Sequence, residues 1–399
     1  MTLVACGGGG AVPPIDDGND AAPSSDASSQ DAAADVATHD AQTIDASDAG
    51  ASDADAAAPT FVDVADTACQ SLASNAGSVL VAGPGAPRFV TLGTVGARRF
   101  AGSEDQLVTF DTSGANADAP FAPPLVDLIA AGSEGTAVAV ASLNSGAVGF
   151  TRYDATGATV LATKTLQATT PAGDPALAIA SRSGASLIVW RQGTNLRGVE
   201  YTSSASTPVD FGASTFGTAV DVAAASTSAG YVVAWSGDPG DGTTRLRFTT
   251  WGSTSTVQVA YQQSAPMHVV RIVPAASGSG WAALVNSDFP QQAVLLVPLD
   301  ASGNVNGSIH RYLGASYAWS VASSNAGYAI VARRATDEPE WRSLTTNGDA
   351  VSSWVCLSGS LANQIGGCGV DSDGTDWATV YSTQNGGASF VSLDSSGAP

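Results

Sequence analysis

The sequence predicts an all-β fold made of seven similar sheets, and three observations support this. One short phrase recurs seven times: an apolar residue, Asp or Thr, small polar residues and usually Gly. Successive copies lie 43 to 51 residues apart, a period typical of solenoids and propellers. Charged residues make up only 13% of the chain and 44 residues are Gly, which suits short strands joined by tight turns. The second residues of the phrase, called here the repeated turn, are Asp111, Asp154, Thr202, Thr249, Asp300, Thr345 and Asp394.

Each repeat contains the elements of a propeller blade. An apolar strand ending in small residues, as in LAIAS at 177–181, is followed by a Gly- and Ser-rich turn and a second apolar strand. A third strand then runs into the repeated turn, and a more polar fourth strand, such as 257–263, ends the unit. The period-2 alternation and the turn residues favour antiparallel hairpins. We therefore predict a β-propeller of seven four-stranded blades over residues 61–399.

Large aromatic residues recur in or beside the predicted second strands. We expect them to pack between neighbouring blades, and a ring of ligand-stacking residues is the alternative. They are Trp190, Trp235, Trp281 and Trp377.

The two ends of the repeat domain predict how the ring closes. Only the repeated turn follows the third strand of the seventh unit, and residues 61–72 precede the first unit without a blade of their own. The phrase ACQSLAS at 68–74 is similar to VCLSGSLA at 355–362. We expect residues 61–72 to supply the outer strand of the last blade and so to remove an open sheet edge.

Residues 7–60 have the composition of a disordered linker. The net charge of the chain is −21, and residues 1–66 hold 13 Asp without a Lys or Arg, leaving 23 acids and 15 bases (net −8) for the rest. Ala supplies most of the apolar content of this segment and cannot build a core, so we predict an acidic tether. The acidity argues against a nucleic-acid partner and against charge-driven adsorption to anionic lipid.

Leu3-Val4-Ala5-Cys6, followed by Gly7, resembles a bacterial lipobox. The whole organisation, with lipobox, acidic tether and propeller, resembles a surface lipoprotein of Gram-negative bacteria. This resemblance implies that residues 1–6 are the remnant of a signal, that Cys6 carries the lipid, and that the protein is exported to the outer membrane. Only Met1 and Thr2 precede the motif, so an upstream start would have to supply the basic and apolar regions of a signal peptide.

Three further cysteines imply one disulfide in an exported protein and one cysteine left over. Cys356 and Cys368 enclose a short loop between the sixth and seventh units, so we predict the bridge Cys356–Cys368. Cys69, which corresponds to Cys356 one unit further on, could pair with Cys368 instead. No Cys/His cluster of zinc type occurs, and no metal or cofactor is expected.

No catalytic constellation is marked in the sequence. The Asp-containing turn differs from the Asp box of sialidase-like propellers, because its Gly comes one residue late and the following aromatic is missing. We expect Asp to cap its own turn. Five Glu occur without a marked pair, as a glycosidase would need. Asp371, Asp373 and Asp376 alternate as in a calcium loop, but turn chemistry is the preferred interpretation.

The face where second strands end and first strands begin is the predicted ligand site. Arginine beside exposed aromatics can hold carboxylates and sugar or ring faces. We expect a monomeric, non-catalytic binding or scaffolding module with a glycan or protein ligand, attached to the membrane through its lipid alone. A glycan-active hydrolase or lyase is the alternative. The predicted ligand residues are Arg191, Asp288, Arg333, Arg334, Tyr317, Trp319 and Tyr381, with Met267 and His268 nearby.

Overall fold

A computed structural model describes most of the chain after residue 58. The described residues are 2–3, 59–72, 78–81, 91–103, 106–121, 128–144, 147–167, 176–193, 195–202, 209–210, 221–252, 257–288, 292–334, 339–357, 368–372, 374, 376–382 and 388–399. They contain strands and turns and no helix, so none of them forms a helix that could span a membrane.

Seven small sheets form the blades, numbered 1 to 7 in chain order. Blade 1 has Thr91–Val95, Arg98–Gly102 and Leu107–Asp111; blade 2 has Leu128–Ser133, Ala137–Asn144, Ala147–Asp154 and Thr159–Gln167; blade 3 has Leu177–Arg182, Ala185–Gln192, Asn195–Tyr201 and Val209–Asp210. Blade 4 has Asp221–Thr227, Gly230–Gly237, Thr244–Thr250 and Gln258–Gln263; blade 5 has Met267–Pro274, Trp281–Ser287, Ala293–Leu299 and Ile309–Tyr312. Blade 6 has Ala315–Ser324, Gly327–Arg334, Pro339–Leu344 and Val355–Cys356; blade 7 has Cys368–Ser372, Trp377–Ser382 and Ala388–Leu393. Thr2–Leu3 pairs with the first strand of blade 3.

The blades form a closed ring. The first strands of successive blades contact one another through the whole circuit, including that of blade 7 with that of blade 1. Seven apolar clusters fill the seven interfaces between neighbouring blades. The prediction of a seven-bladed all-β propeller is confirmed.

The aromatic residues of the second strands belong to these clusters. Trp190, Trp235, Trp281 and Trp377 are buried, with at most 7% of their surface exposed, and each packs against an adjacent blade. The interpretation as blade-packing residues is therefore confirmed.

The segment before blade 1 runs along the outer edges of three blades. Phe61–Val64 pairs in parallel with the outer strand of blade 5, and Gln70–Ser71 pairs in parallel with that of blade 6. Residues 59–72, called here the strap, therefore add a fifth strand to each of these blades. Ser78–Val81, the closing strand, pairs antiparallel with Ala388–Phe390 and is the outer strand of blade 7.

The prediction that residues 61–72 supply the outer strand of the last blade is therefore wrong in position. Blades 5 and 6 already have four strands, but their outer edges still carry free backbone donors and acceptors. The strap satisfies these edges first, and the chain reaches blade 7 only at Ser78.

The predicted disulfide Cys356–Cys368 is also wrong, because Cys69 bonds to Cys356 across a sequence separation of 287 residues. Parallel pairing of the strap with Val355–Cys356 brings the two Cα atoms to 5.5 Å, a common disulfide spacing. Cys368 lies outside the bridge, buried in the first strand of blade 7. Closeness in sequence did not decide this pairing, since Cys356 and Cys368 belong to different sheets.

The repeated turn has one hydrogen-bonding pattern in four blades. In blade 2, Asp154 Oδ1 accepts the backbone N–H groups of Thr156 and Ala158 at 2.8 and 3.0 Å and the Thr156 hydroxyl at 2.7 Å. The bond from the Thr156 hydroxyl, followed by those from the backbone, lowers the pKa of Asp154 below its ordinary value. Equivalent bonds occur at Asp111, Asp300 and Asp394, so the predicted Asp cap is confirmed.

Glycine at the end of the turn lets several of the turns pack closely against the preceding blade. Gly303 of blade 5 has φ of +92°, and a Cβ atom there would lie 2.2 Å from a ring carbon of Phe248 in blade 4. Gly114 of blade 1, with φ of +84°, has the same relation to Phe390 of blade 7. A side chain at either position would be strained and would clash. The repeated phrase is therefore a contact between blades as well as a turn within one.

Candidate functional site

The seven predicted ligand residues do not converge on one site. Arg191 lies in blade 3, where it is 6% exposed and its Nε donates to the Gly193 carbonyl oxygen at 3.0 Å. Asp288 follows the second strand of blade 5 and is exposed. The other five lie in blades 6 and 7. Most of these residues serve the packing of the ring.

Arg334 is held in an ion-pair network on the strap side of blade 6. Its Nη1 donates to Oε2 of Glu340 at 2.6 Å, and its Nη2 donates to Oδ1 of Asp66 in the strap. Glu340 is completely buried, and the guanidinium lies 5.6 Å from the ring centre of Trp354. The expectation that Arg334 is an exposed ligand-binding cation is wrong, because the fold uses its charge to neutralise a buried carboxylate.

The predicted aromatic residues lie in the interface between blades 6 and 7. Trp319 and Tyr381 are 7% and 8% exposed and belong to one apolar cluster, against which the half-buried Tyr317 packs. Tyr317 and Trp319 have ring centres 6.4 Å apart. Arg333 is half-buried and pairs with Tyr317 in the strand register. This group offers little exposed ring surface to a ligand.

On the same face, a histidine–carboxylate pair joins blades 4 and 5. His268 Nδ1 lies 2.7 Å from Oδ2 of Asp221, the first residue of the blade 4 sheet. The hydrogen bond with Asp221 raises the pKa of His268, and the charge of Asp288 adds to the effect against a smaller opposing effect of burial. The protonated form of the His268 ring is thereby favoured, so this pair is an ion pair that joins two blades.

Two adjoining clefts lie on the other face, which carries the repeated turns and is called here the turn face. The first, of about 500 Å³, lies between blades 5 and 6. The second, of about 740 Å³, spans the first turns of blades 4, 5 and 6. Trp281 and Ala275 line both, so the two clefts meet at the start of the second strand of blade 5.

Neutral polar and aliphatic residues dominate the lining of the clefts, together with a few aromatic residues, of which Trp281 and Tyr328 are largely buried. In the first cleft, Tyr328 accepts the backbone N–H of Ala276 at 3.0 Å, and the hydroxyls and amides come mainly from Ser277, Ser279, Asn306 and Asn347. The second cleft is lined by Trp251 and Trp281 together with Ser, Thr, Asn and Gly residues. Burial raises the pKa of Tyr328, so its hydroxyl stays neutral and available for hydrogen bonding.

The first cleft also holds the two titratable groups His310 and Asp349. His310 Nε2 lies 3.2 Å from Oδ1 of Asp349, which is in the repeated turn of blade 6. Only 6% of the His310 side chain is exposed, against 59% of that of Asp349. Among the described residues, Nδ1 of His310 is a buried atom without a hydrogen-bond partner. The cleft therefore combines a shielded imidazole with an accessible carboxylate.

Sequence reasoning missed these clefts, although one signal for them exists. Six residues separate the first two strands of blade 5, between Pro274 and Trp281, whereas two residues do so in blades 3, 4 and 6. This longer, Gly- and Ser-rich turn lies between the two clefts. A comparison of turn lengths across the repeats would have marked it.

Of the three aspartates predicted as a possible calcium loop, the structure describes Asp371 and Asp376. Asp371 Oδ2 lies 3.7 Å from Nη1 of Arg99. Asp373 lies outside the described residues, and so does the lipidation candidate Cys6. In the described part of the chain, the one cluster of possible metal-ligand atoms is Cys69, Glu340 and Cys356, whose two sulfur atoms form the disulfide. The calcium interpretation stays a hypothesis.

Comparison with known proteins does not assign the chain to a family. No family model matches the chain, and no curated protein matches it. Similar solved structures include the N-terminal domain of Nup159, with 11% identity, a TM-score of 0.46, and coverage of 84% of this chain and 99% of that one.

The Myceliophteria thermophila Cps50 (Swd1) β-propeller domain has 13% identity and a TM-score of 0.47, with 79% and 98% of the two chains covered. A structure from a study of two prolyl endopeptidases has 15% identity and a TM-score of 0.48, with 81% and 49% covered. Similarity at this level shows the fold alone. The chain is a seven-bladed β-propeller, a fold that serves many unrelated functions.

Proposed function

We propose that the protein is a non-catalytic binding propeller that holds a neutral, hydroxyl-rich ligand such as a glycan in the two clefts of the turn face. The observation that carries this proposal is the pair of adjoining clefts that share Trp281. Concave sites that combine apolar side chains with a few fixed polar groups are typical of small-molecule binding. The size of the two clefts together suits an oligosaccharide better than a single sugar.

The charge around the clefts supports a neutral ligand. Of the residues that line them, His310 and Asp349 are the titratable groups apart from tyrosine, and they pair with each other. Hydroxyls and amides supply both donors and acceptors, which is what a sugar requires. The arginine-rich site expected from the sequence on the opposite face would instead have favoured an anion.

The experiment fills each cleft with a tryptophan side chain, introduced at an exposed position outside the hydrophobic core. Ser279→Trp would fill the first cleft and Asn325→Trp the second, and both residues are exposed. Thr165→Trp, on the exposed outer strand of blade 2, is the matched control. We expect glycan-array binding to fall at least tenfold in the two cleft variants and to persist in the control. Binding that survives in both cleft variants would rule the proposal out.

Attachment to the cell surface is part of the same proposal. The lipobox-like Cys6 and the acidic residues 7–60 support a lipid anchor with a spacer of roughly 40 Å as a random coil. Expression from a frame that supplies an upstream signal peptide, in cells fed labelled palmitate, should label the wild type and leave Cys6→Ala unlabelled. Equal labelling of both, or of neither, would contradict the anchor.

A glycan-active hydrolase or lyase is a second candidate, favoured by the His310–Asp349 pair in the first cleft. An imidazole beside a carboxylate can serve as a general acid or base. If this candidate is correct, Asp349→Asn should lower turnover by about 100-fold or more while glycan binding persists. Glycans that bind without being cleaved by the wild type would exclude it.

A further inference from the structure

Asp349, which lines the first cleft, is a carboxylate at a position where the other repeats have none. In blades 1, 2, 5 and 7 the Asp at the second position of the repeated turn accepts the backbone N–H of the residue four positions later. Blade 6 has Thr345 at that position, and its hydroxyl accepts the N–H of Asp349 at 3.1 Å. The carboxylate of Asp349 is therefore not used to cap its own turn. The equivalent residues of the six other repeats are Ala115, Ala158, Ser206, Ser253, Asn304 and Ala398.

The turn of blade 6 also differs in what it packs against. Gly303 in the turn of blade 5 lies against the ring of Phe248, whereas Gly348 in the turn of blade 6 lies against His310. The buried Tyr312 donates its hydroxyl hydrogen to the Gly348 carbonyl oxygen at 2.8 Å and so fixes the turn. Positions at which a protein departs from its own local pattern are often functional ones.

The environment of His310 assigns the donor in its pair with Asp349. Nδ1 of His310 is buried and has no hydrogen-bond partner in the part of the chain that the structure describes. A hydrogen on Nε2 alone leaves no buried N–H unpaired, so Nε2 donates to Oδ1 of Asp349 at 3.2 Å. The shielded imidazole thereby holds one oxygen of a carboxylate that is 59% exposed. Because a carboxylate has about four acceptor sites, both oxygens can still accept hydrogen bonds from a ligand.

We propose that Asp349 selects sugars that carry two adjacent free hydroxyls, each of which donates to one oxygen of the carboxylate. Hydrogen bonds to an ionised acceptor are shorter and stronger than neutral ones, and a pair of parallel bonds adds geometric specificity. The exposed amides of Asn306 and Asn347 line the same cleft and can bond to neighbouring sugar hydroxyls. His310 is a positioning residue. The inference rests on the proposed glycan binding and adds the residue that chooses among glycans.

The first experiment measures binding to hexasaccharides of glucose, galactose, mannose and xylose that differ in linkage alone. In chains linked through O4, every unit keeps the adjacent hydroxyls O2 and O3 free, whereas linkage through O3 leaves the internal units without an adjacent free pair. We expect at least one O4-linked chain to bind about tenfold or more tightly than the O3-linked chain of the same sugar. Equal binding of the two linkages, or binding of no O4-linked chain, would overturn the inference.

The variant Asp349→Asn keeps the shape of the side chain and removes its charge. It should bind the preferred hexasaccharide about 10- to 100-fold more weakly, the effect of losing hydrogen bonds to a charged group. Asp394→Asn, the same change in the repeated turn of blade 7, lines neither cleft and is the matched control, so it should bind like the wild type. Unchanged binding by Asp349→Asn would contradict the inference, and it is the result that the hydrolase candidate requires.

Two substitutions of His310 separate positioning from folding. In His310→Gln the amide can donate to Asp349 in place of Nε2, whereas in His310→Leu the apolar side chain suits the buried position but cannot donate. We expect the first variant to bind like the wild type and the second about tenfold more weakly, with the melting temperature recorded for both. Equal binding by the two variants would remove the positioning role of His310.

A last measurement needs no variant, because it follows the side-chain carboxyl carbon resonances of the wild type. That of Asp349 should shift on saturation with the preferred hexasaccharide and that of Asp394 should not; an unmoved Asp349 resonance would refute the inference. The two proposals fail differently. Loss of binding in Ser279→Trp and Asn325→Trp, with no effect of Asp349→Asn, would leave the binding propeller standing and remove the role of Asp349. A wild type that binds no glycan on the array would overturn both.

Discussion

The interface between blades 2 and 3 and the strap across blade 6 both depend on a buried glutamate–arginine pair, but they are assembled differently. Glu134 accepts two bonds from Arg152, at 2.6 and 3.0 Å, and one from Ser186 in the next blade at 2.6 Å. Glu340 pairs with Arg334, whose other partner is Asp66, 268 residues away.

The difference lies in how far apart in the chain the partners are. The residues around Glu134 come from consecutive hairpins, so the interface can form as the two blades fold. The strap has to find blades 5 and 6 from the opposite end of the domain, and loop closure over such a distance costs entropy. The disulfide Cys69–Cys356 removes much of that cost. The strap is therefore the part of the ring whose stability depends on a covalent bond.

Two truncations should give the largest effect and separate the strap from the closing strand. A chain beginning at residue 83 lacks both, so blade 7 is left with an open edge. We expect it to lose cooperative unfolding and to aggregate. A chain beginning at residue 75 keeps Ser78–Val81 and should fold. Because it lacks Cys69 and therefore the disulfide, we expect its free energy of unfolding to be lower by about 2–5 kcal/mol or more. Denaturant unfolding followed by tryptophan fluorescence measures both, and equal stability of the two chains would contradict the distinction.

Neutralising the buried glutamates should compare the two regions directly. Glu134→Gln leaves Arg152 with carbonyl acceptors alone, so we expect a loss of about 3–5 kcal/mol. Glu340→Gln should cost less, because Arg334 keeps Asp66.

The control for this pair is Glu200→Gln. Its ion pair with Arg182 is more exposed, so we expect less than about 1 kcal/mol. A larger loss for Glu340→Gln than for Glu134→Gln would show that the strap does not compensate for the buried charge.

Removing the disulfide should weaken the strap and leave the other interface intact. Cys69→Ser should lower the free energy of unfolding by roughly 2–5 kcal/mol and make it insensitive to reductant. Cys368→Ala, in contrast, should leave the effect of reductant on the melting temperature unchanged, because Cys368 is outside the bridge. If Cys368→Ala abolished the effect of reductant, the pairing with Cys69 would be wrong.

The smallest expected effect concerns the repeated turn, because the hydrogen bonds of its Asp lie within the turn itself. The lowered pKa of Asp154 means that its contribution to stability is complete above its unfolded value, near 3.8, and is lost as the pH falls through the lower folded value. Asp154→Asn should therefore lower stability slightly at pH 7 and have a smaller effect at pH 2. The difference between the two proteins, measured by chemical denaturation across this range, should shrink as the pH falls.

Much of the fold and little of the candidate site could be predicted from the sequence. The seven blades, the Asp cap and the packing of Trp190, Trp235 and Trp377 follow from short-range patterns, because a blade is a hairpin meander whose periodicity is written in consecutive residues. Arg334 looked like an exposed cation because its partner Asp66 lies in another part of the chain. The clefts required knowledge of which first turns lie side by side.

The sequence by itself determined the repeat, the number of blades and the composition of the interfaces between consecutive blades, since these depend on contacts between neighbouring repeats. The tertiary structure decided two other things: which N-terminal residues close the ring and which cysteine meets Cys356. Each depends on groups more than about fifty residues apart meeting in space. The order of strands around a ring, and not any local pattern, sets those distances.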